Sequence, residues 1–593
     1  MSKTVSDFIV SRLQEWGVKR VFGYPGDGIN GVMGALNRAK DSIDFIQVRH
    51  EETAAFMACG HAKFTGEVGV CIATSGPGAI HLLNGLYDAK LDHQPVLAIV
   101  GQQARMALGG SFQQEVDLIS LFKDVANNFV QMCIDPRQIR HLVDRAMRIA
   151  LTERTVTCII LPNDVQELSY EEPPRQHGSI HTSVGYYQPN IIPDTAQLKT
   201  AADILNTGDK VAILVGAGAI GAAEEVIEIA ELLGAGVAKA LLGKMVLPDD
   251  LPFVTGSIGL LGTETSWNMM TECDTLLMIG SSFPYSEFLP KEGQAKAVQI
   301  DIDGKMLGLR YPMDVHLQGD AKITLRALIP LINRKDDRSW REQIEKWNDH
   351  WWKVLEARAQ NAAHPINPQT IFWHLDKLLP ANSIITADSG STATWYARDI
   401  KARKGMMGTL SGTLATMCPG IGYSLAAKFA YPERPAFALM GDGAMQMQGI
   451  NGLITVAKYW KEWANPQFIV IVLNNRDLNM VTWEQRVMEG APKFEDSQEL
   501  PDFHLAAYAQ LLGFEGIRIS NPDEIELALQ KGLTAKKPVL LEFMSDPNVA
   551  PLPPHISMKQ AKDFMLSMVK GEKGAWDIIK QTMKEVKDNY FPG

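Results

Sequence analysis

The chain has 593 residues, 46% of them hydrophobic and 21% charged, with a formal net charge of -11. That length favours three or more domains over one, and an acidic balance with no basic run to neutralise phosphates excludes nucleic acid as a partner. Six cysteines (Cys59, Cys71, Cys133, Cys158, Cys273 and Cys418) stand without CxxC spacing, which excludes a disulfide frame or a zinc site and fits thiols in a reducing compartment.

The first residues run directly into an amphipathic helical pattern without a signal-peptide core. No apolar run reaches the about 18 residues that span a bilayer, so a cytoplasmic location is expected. Short apolar runs then alternate with helical patterns, at 68–73, 96–100, 157–161, 211–215, 276–279, 297–302, 436–440, 468–473 and 539–543. Strands apolar throughout belong to parallel sheets covered on both faces, and the expected class is α/β. Two linkers interrupt the pattern, at 167–195 and 334–367. The second holds Trp340, Trp347, Trp351 and Trp352 at helical spacing, which reads as a helix packed on a domain surface. The expected units are 1–180, 190–335 and 365–550, followed by a tail at 551–593.

The first unit carries Gly23-Tyr24-Pro25-Gly26-Asp27, then Arg49-His50-Glu51-Glu52-Thr53-Ala54-Ala55, Thr74-Ser75-Gly76-Pro77-Gly78 and His93-Gln94-Pro95-Val96. A strand over 45–48 places Glu51 at its end, before a helix that begins at 54. A carboxylate there suits a helix N-terminus. The second unit has Gly216-Ala217-Gly218-Ala219-Ile220-Gly221 between a strand and a helix over 222–233. An NAD-binding turn of this kind needs an acid about 20 residues onward, at the end of the next strand. The chain has Gly236-Val237-Ala238-Lys239-Ala240 there, and NAD is disfavoured.

In the third unit Asp388-Ser389-Gly390-Ser391-Thr392 follows a strand over 383–387, and its hydroxyl and N–H groups suit a terminal phosphate. Further on, Met440-Gly441-Asp442-Gly443-Ala444 closes one apolar strand and Asn474-Asn475 closes the next. A carboxylate and an amide at neighbouring strand ends are hard oxygen donors, and Mg²⁺ fills its octahedron with one or two such groups, water and phosphate oxygens. Gly-Asp-Gly alone is common in turns; the second strand end makes it a diphosphate site.

In order and spacing, these motifs resemble the acetolactate synthase and pyruvate oxidase family of thiamine diphosphate enzymes over about residues 3–560. The resemblance implies three doubly wound parallel-sheet domains, which bind pyrimidine, flavin or nucleotide, and diphosphate in turn. It assigns Glu51 as the carboxyl group that protonates the coenzyme's aminopyrimidine, with Pro25 and Gly26 beside it. It places Gly390, Ser391, Thr392, Gly441, Gly443 and Ala444 around the diphosphate. Asp442, Asn475 and the backbone carbonyl of Asp477 become the Mg²⁺ ligands. Leu414, after Gly412-Thr413, matches the apolar wedge under the coenzyme. The segment 111–117 resembles a Phe-Gln-Glu substrate loop, which makes Gln114 catalytic, although with Gln114-Glu115 as the matching pair a glutamine stands where the family has the aromatic residue. The site lies between subunits, so a homodimer or homotetramer is implied.

The segments 258–262, 281–285 and 299–303 are similar to FAD-binding segments of pyruvate oxidases, which gives Gly216, Gly218, Phe283 and Asp301 to FAD. Residues 283–290 and 552–564 look closest to the quinone-linked bacterial enzymes. The implied reaction is decarboxylation of a 2-oxo acid, by default pyruvate, with electrons passed to FAD. Carboligation of the acetolactate synthase kind, or non-oxidative decarboxylation, is the alternative; an NAD-dependent dehydrogenase is the alternative from another class. Arg476 and Arg486 either bind a larger acid or face solvent. The stretch from Gly443 to Asn474 is longer than usual for the family, with the excess expected around 459–466. The tail puts Trp576, Ile579, Met583 and Val586 on one helical face, which admits peripheral membrane contact or packing on the protein's own surface.

Overall fold

The computed structural model describes residues 3–590. The first sheet is built from β1 (Arg20–Gly23), β2 (Asp44–Gln47), β3 (Gly69–Ala73), β4 (Val96–Gln102), β5 (Val130–Met132) and β6 (Val156–Pro162), in the order β2-β1-β3-β4-β6-β5. The second contains β7 (Val211–Val215), β8 (Gly236–Lys239), β9 (Val254–Ser257), β10 (Thr275–Ile279), β11 (Lys296–Asp301) and β12 (Val315–Gln318), in the order β12-β11-β10-β7-β8-β9. The third contains β13 (Ile384–Ala387), β14 (Met407–Thr409), β15 (Ala436–Gly441), β16 (Phe468–Asn474), β17 (Glu515–Ile519) and β18 (Val539–Met544). Its order, β14-β13-β15-β16-β18-β17, repeats the first sheet strand for strand. Every pairing in the three sheets is parallel.

Each apolar run read from the sequence is one of these strands. Those missed include edge strands that wet one face: β12 alternates buried and exposed residues, and no residue of β5 is fully buried. The central order is that of doubly wound nucleotide-binding sheets, whose ligands sit where the strand order reverses, outside the carboxyl ends. In the first and third sheets the reversal falls between β1 and β3, and between β13 and β15. All six cysteines are buried free thiols.

Helix Glu51–Thr65 lies on helix Pro419–Ala430, with Gly60 against Tyr423, so the first and third units pack directly on each other. Asp92 of the first unit accepts the backbone N–H groups of Gly412 and Thr413 at 2.9 and 2.7 Å, and Lys63 donates to Asp92 and to the Leu410 carbonyl. The second unit is tied to the third by Lys244, which donates to the Ala397 carbonyl, and by Asp249, which accepts Ala402 N–H. The tryptophan-spaced linker is helix Ser339–Ala359, with Trp340 and Trp351 buried.

The tail forms helices Met558–Val569 and Ala575–Tyr590. The second docks through Ile578, Gln581, Thr582 and Glu585, all buried. This corrects the expected stripe: Ile579 is half-buried, while Trp576, Met583 and Val586 face outward. The docking face includes a buried carboxylate, Glu585, which an apolar count does not see. No helix among the described residues is long and apolar enough to cross a membrane.

Candidate active site

At the carboxyl end of the third sheet, the loop after β13 turns into helix Ser391–Asp399, opened by Gly390-Ser391-Thr392. Thr392 Oγ1 lies 3.7 Å from where a Cβ on Gly441 would sit, so the two turns face each other. β15 ends at Gly441, and a helical segment starts at Asp442. A Cβ on Gly443 would stand 2.8 Å from Leu478 Cδ2 and 3.3 Å from Met417 Cε, which leaves no room for a side chain there.

Asp442 is buried. Its Oδ1 accepts Gly443 N–H at 2.8 Å, and Oδ2 accepts the N–H groups of Asn475 and Arg476 at 2.9 and 2.6 Å. Burial pushes its carboxyl up to about 7, against the pull of these donors, and the nearby Asp477 carboxylate adds to the rise. A buried carboxylate held by backbone donors, with no cationic side chain on it, suits a divalent ion.

The two asparagines divide. Asn474 is buried and donates to Glu542 at 2.7 Å, whereas Asn475 sits at the Asp442 turn with its Oδ1 accepting Asp477 N–H. The Asp477 side chain is taken up by Lys493 and Thr482 on Oδ1 and by Asn479 on Oδ2, leaving its backbone carbonyl as the group that could face a metal. Asp442, Asn475 and the Asp477 carbonyl therefore fit a Mg²⁺–diphosphate as a donor set.

Leu414, the expected wedge, and Met417 are both half-buried, and Met417 is the one whose Cε lies over the Gly443 turn. Its loop is held by Asp388, fully buried at the end of β13, which accepts the N–H groups of Ser389 (3.0 Å), Cys418 (2.9 Å) and Gly420 (3.1 Å). Burial raises that carboxyl to about 7 as well. Ala415 and Cys418 are both left-handed, at φ 52° and 83°, a strained backbone that only a well-anchored loop retains. The spacing of Asp388 to Met417 is long-range, and no local motif could have signalled it.

On the first sheet, Glu51 is itself the first residue of helix Glu51–Thr65, capped by His50; the helix starts three residues earlier than expected. Glu51 is buried, its Oε2 lies 3.0 Å from His81 Nδ1, and its Oε1 lies 3.2 Å from where a Cβ on Gly78 would be. The rings of His50 and His81 stack at 4.5 Å, and these two with Glu51 could also hold a metal ion. His81 was not picked out from the sequence. Pro25-Gly26 leads from β1 against Thr74, and the Gly28 N–H donates to Thr74 Oγ1. Gln114 is exposed, left-handed at φ 62°, and leans on Gly76 of the next turn. Gln448, on the helical run from Asp442, donates to Glu52 at 2.8 Å and so joins the two halves within one chain.

In the second unit Gly216 and Gly218 press on Gly280 across the β7–β10 crevice, with a Cβ on Gly216 coming 2.3 Å from the Gly280 carbonyl oxygen. Phe283 is buried, edge-on to Tyr285 at 5.6 Å. Asp301 ends β11, accepts Asp303 N–H, and is raised by burial and by Asp303, with His93 of the first unit opposing. At the end of β8, where NAD binding asks for an acid, Lys239 is buried 2.6 Å from Asp249. Ile220, Leu260, Tyr285 and Ile302, in contrast, are exposed just beyond the carboxyl ends of β7, β9, β10 and β11. That apolar rim around a switch point fits a flat aromatic ligand.

Neither role expected of Arg486 is met: it is buried and paired with Glu572 of the tail at 2.8 Å. Arg476 is exposed, and its backbone serves Asp442.

Three family descriptions match the chain: thiamine pyrophosphate enzyme, N-terminal TPP binding domain, over residues 3–121; central domain over 198–328; and C-terminal TPP binding domain over 388–543. The Bacillus subtilis "Putative thiamine pyrophosphate-containing protein YdaP" is 34% identical over 98% of this chain and 99% of its own. Pyruvate oxidase of Lactiplantibacillus plantarum is 28% identical over 90% of this chain and 87% of its own. The Escherichia coli acetolactate synthase isozyme 3 large subunit is 29% identical over 89% and 92%. With the diphosphate turn, the buried Glu51 and three matched domains all present, the chain belongs to the thiamine pyrophosphate enzyme family.

Proposed function

We propose that the protein is a thiamine diphosphate- and Mg²⁺-dependent enzyme that decarboxylates a small 2-oxo acid, by default pyruvate, and passes the electrons to FAD. The observation that carries the reading is the pair of half-sites: a buried Glu51 at the end of the first sheet, and Asp442 with Asn475 at the end of the third. The coenzyme supplies the carbanion chemistry when bound. Asp442, Asn475 and the Asp477 carbonyl hold its metal, and Gly390, Ser391 and Thr392 present N–H and hydroxyl groups to its phosphates. Met417, over the Gly443 turn, would offer the apolar support for the bound coenzyme. Glu51 holds a proton at the aminopyrimidine nitrogen, in a dry slot that strengthens that hydrogen bond. Glu51 and Asp442 of one chain serve different sites, each completed by a second copy, so the working form is a homodimer or homotetramer.

The oxidative half rests on the apolar rim of the second sheet, beside Gly216, Gly218, Phe283 and Asp301. Relatives named for both oxidation and acetolactate synthesis match this chain to a similar degree. The absorbance spectrum separates them. A bound flavin band that bleaches when pyruvate is added without oxygen is the expected result; a flavin that stays oxidised while acetolactate accumulates overturns the oxidase reading. The outward Trp576, Met583 and Val586 supply an apolar stripe for peripheral membrane contact, and sedimentation with liposomes by full-length protein, lost on deleting 575–593, is the matching test.

A further inference from the structure

A cavity of about 640 Å³ lies away from the carboxyl ends of the sheets and from every residue assigned above. It opens between β2, the edge strand of the first sheet, and the 459–466 segment of the third unit. Its floor is apolar and buried, from Leu36, Phe429 and Trp463, with Phe45 of β2 beside them. The 459–466 segment is firmly built. Tyr459 OH accepts the Gln47 N–H at 2.8 Å, and Trp463 stacks on Phe468. Buried Lys428 gives its protons to the carbonyls of Pro432, Arg434 and Asn465.

The rim carries charge of both signs. Arg20 stands 3.6 Å from Asp44, whereas Lys40 and Glu462 are exposed and have no ion-pair partner among the described residues. Arg20 Nε and Trp463 Nε1, on the same walls, are buried donors without an acceptor. A volume in the range of small-molecule sites, an apolar aromatic floor and one free charge of each sign together define the ligand. We infer that this cavity binds a small zwitterion with a large apolar side chain, an aromatic α-amino acid in free form.

Its carboxylate faces Lys40, its ammonium faces Glu462, and its ring lies on Trp463 and Phe429. The cavity sits at the amino ends of β1 and β2, and the carboxyl end of β2 leads to Glu51. Phe45 and Glu51 are six residues apart, no more than about 20 Å along the strand. The site needs no thiamine coenzyme, so its test is independent of the proposed reaction.

Calorimetry with L-phenylalanine on the full-length protein, saturated with Mg²⁺ and thiamine diphosphate, tests this. L-phenylalanine should bind, and 3-phenylpropanoate and 2-phenylethylamine, each lacking one charge, should bind more weakly. Lys40→Gln and Glu462→Gln, both on the exposed rim where folding is insensitive, should each weaken L-phenylalanine by roughly threefold to fivefold. Absence of binding at 10 mM (an arbitrary ceiling of about that size for a specific site) overturns the inference. So does binding that neither substitution changes, or an equal affinity for the singly charged analogues.

Discussion

Arg486 and Glu572 face each other at 2.8 Å with both side chains buried, and through them the tail reaches the metal loop. The other oxygen of Glu572 accepts the Lys493 N–H, and Lys493 Nζ lies 3.0 Å from Asp477 Oδ1. The C-terminal segment is thus a structural part of the diphosphate domain.

Removing one member of such a pair strands the other charge. Glu572→Ala should destabilise the protein by about 3–5 kcal/mol, whereas the double variant with Arg486→Met should recover much of that loss. Urea unfolding of the single and double variants checks it. A loss in the double variant equal to the sum of the Glu572→Ala and Arg486→Met losses would show that the pair carries no coupling.

Glu585 gives a pH dependence. It is fully buried in the docking face of the last helix, and burial raises its carboxyl to about 7 despite Arg358 and Arg398 nearby. An acid raised on folding contributes stability that is complete below its unfolded value, near 4.5, and is lost as pH rises through about 7. Glu585→Gln, neutral at every pH, should therefore gain in Tm relative to the parent as pH goes from about 5.5 to about 8.5. The gain is limited to about 3 kcal/mol by a shift of this size. A constant Tm difference would remove the role of this carboxyl.

Met417 and Leu414 compete for one role, and their neighbours decide between them. Met417→Ala should weaken coenzyme binding by about tenfold, the worth of a few lost methylene contacts. Leu414→Ala should leave it within about twofold. Fluorescence titration with thiamine diphosphate at fixed Mg²⁺ measures both.

For Glu51→Gln the expectation is a split. The side chain keeps its shape but loses the ionisable proton, so turnover should fall by about 10² to 10⁴ while coenzyme affinity changes little. Parental turnover in this variant would remove the assignment of Glu51.

Much of this was legible in the chain. Runs such as 96–100 and 468–473 are apolar because β4 and β16 are buried on both faces. That Asp442 and Asn475 meet was readable because they close neighbouring strands. What stayed hidden depends on distance in sequence. Asp388 anchors Cys418, 30 positions later, and Arg486 is neutralised by Glu572, 86 positions later. On the tail helix, Trp576, Met583 and Val586 share the outward face while Ile579 turns toward the docking face, which holds the buried Glu585. Helical periodicity records hydrophobicity, and a buried acid between two arginines leaves no trace in it.

The central claim is that Asp442 and Asn475 anchor thiamine diphosphate through a divalent ion. Calorimetric titration of metal-stripped protein with the coenzyme, with and without Mg²⁺, tests it most directly. The account predicts uptake of one coenzyme per chain that requires the metal and falls by on the order of 100-fold in Asp442→Asn. Binding that ignores both the metal and that substitution, or no uptake at all, would contradict it.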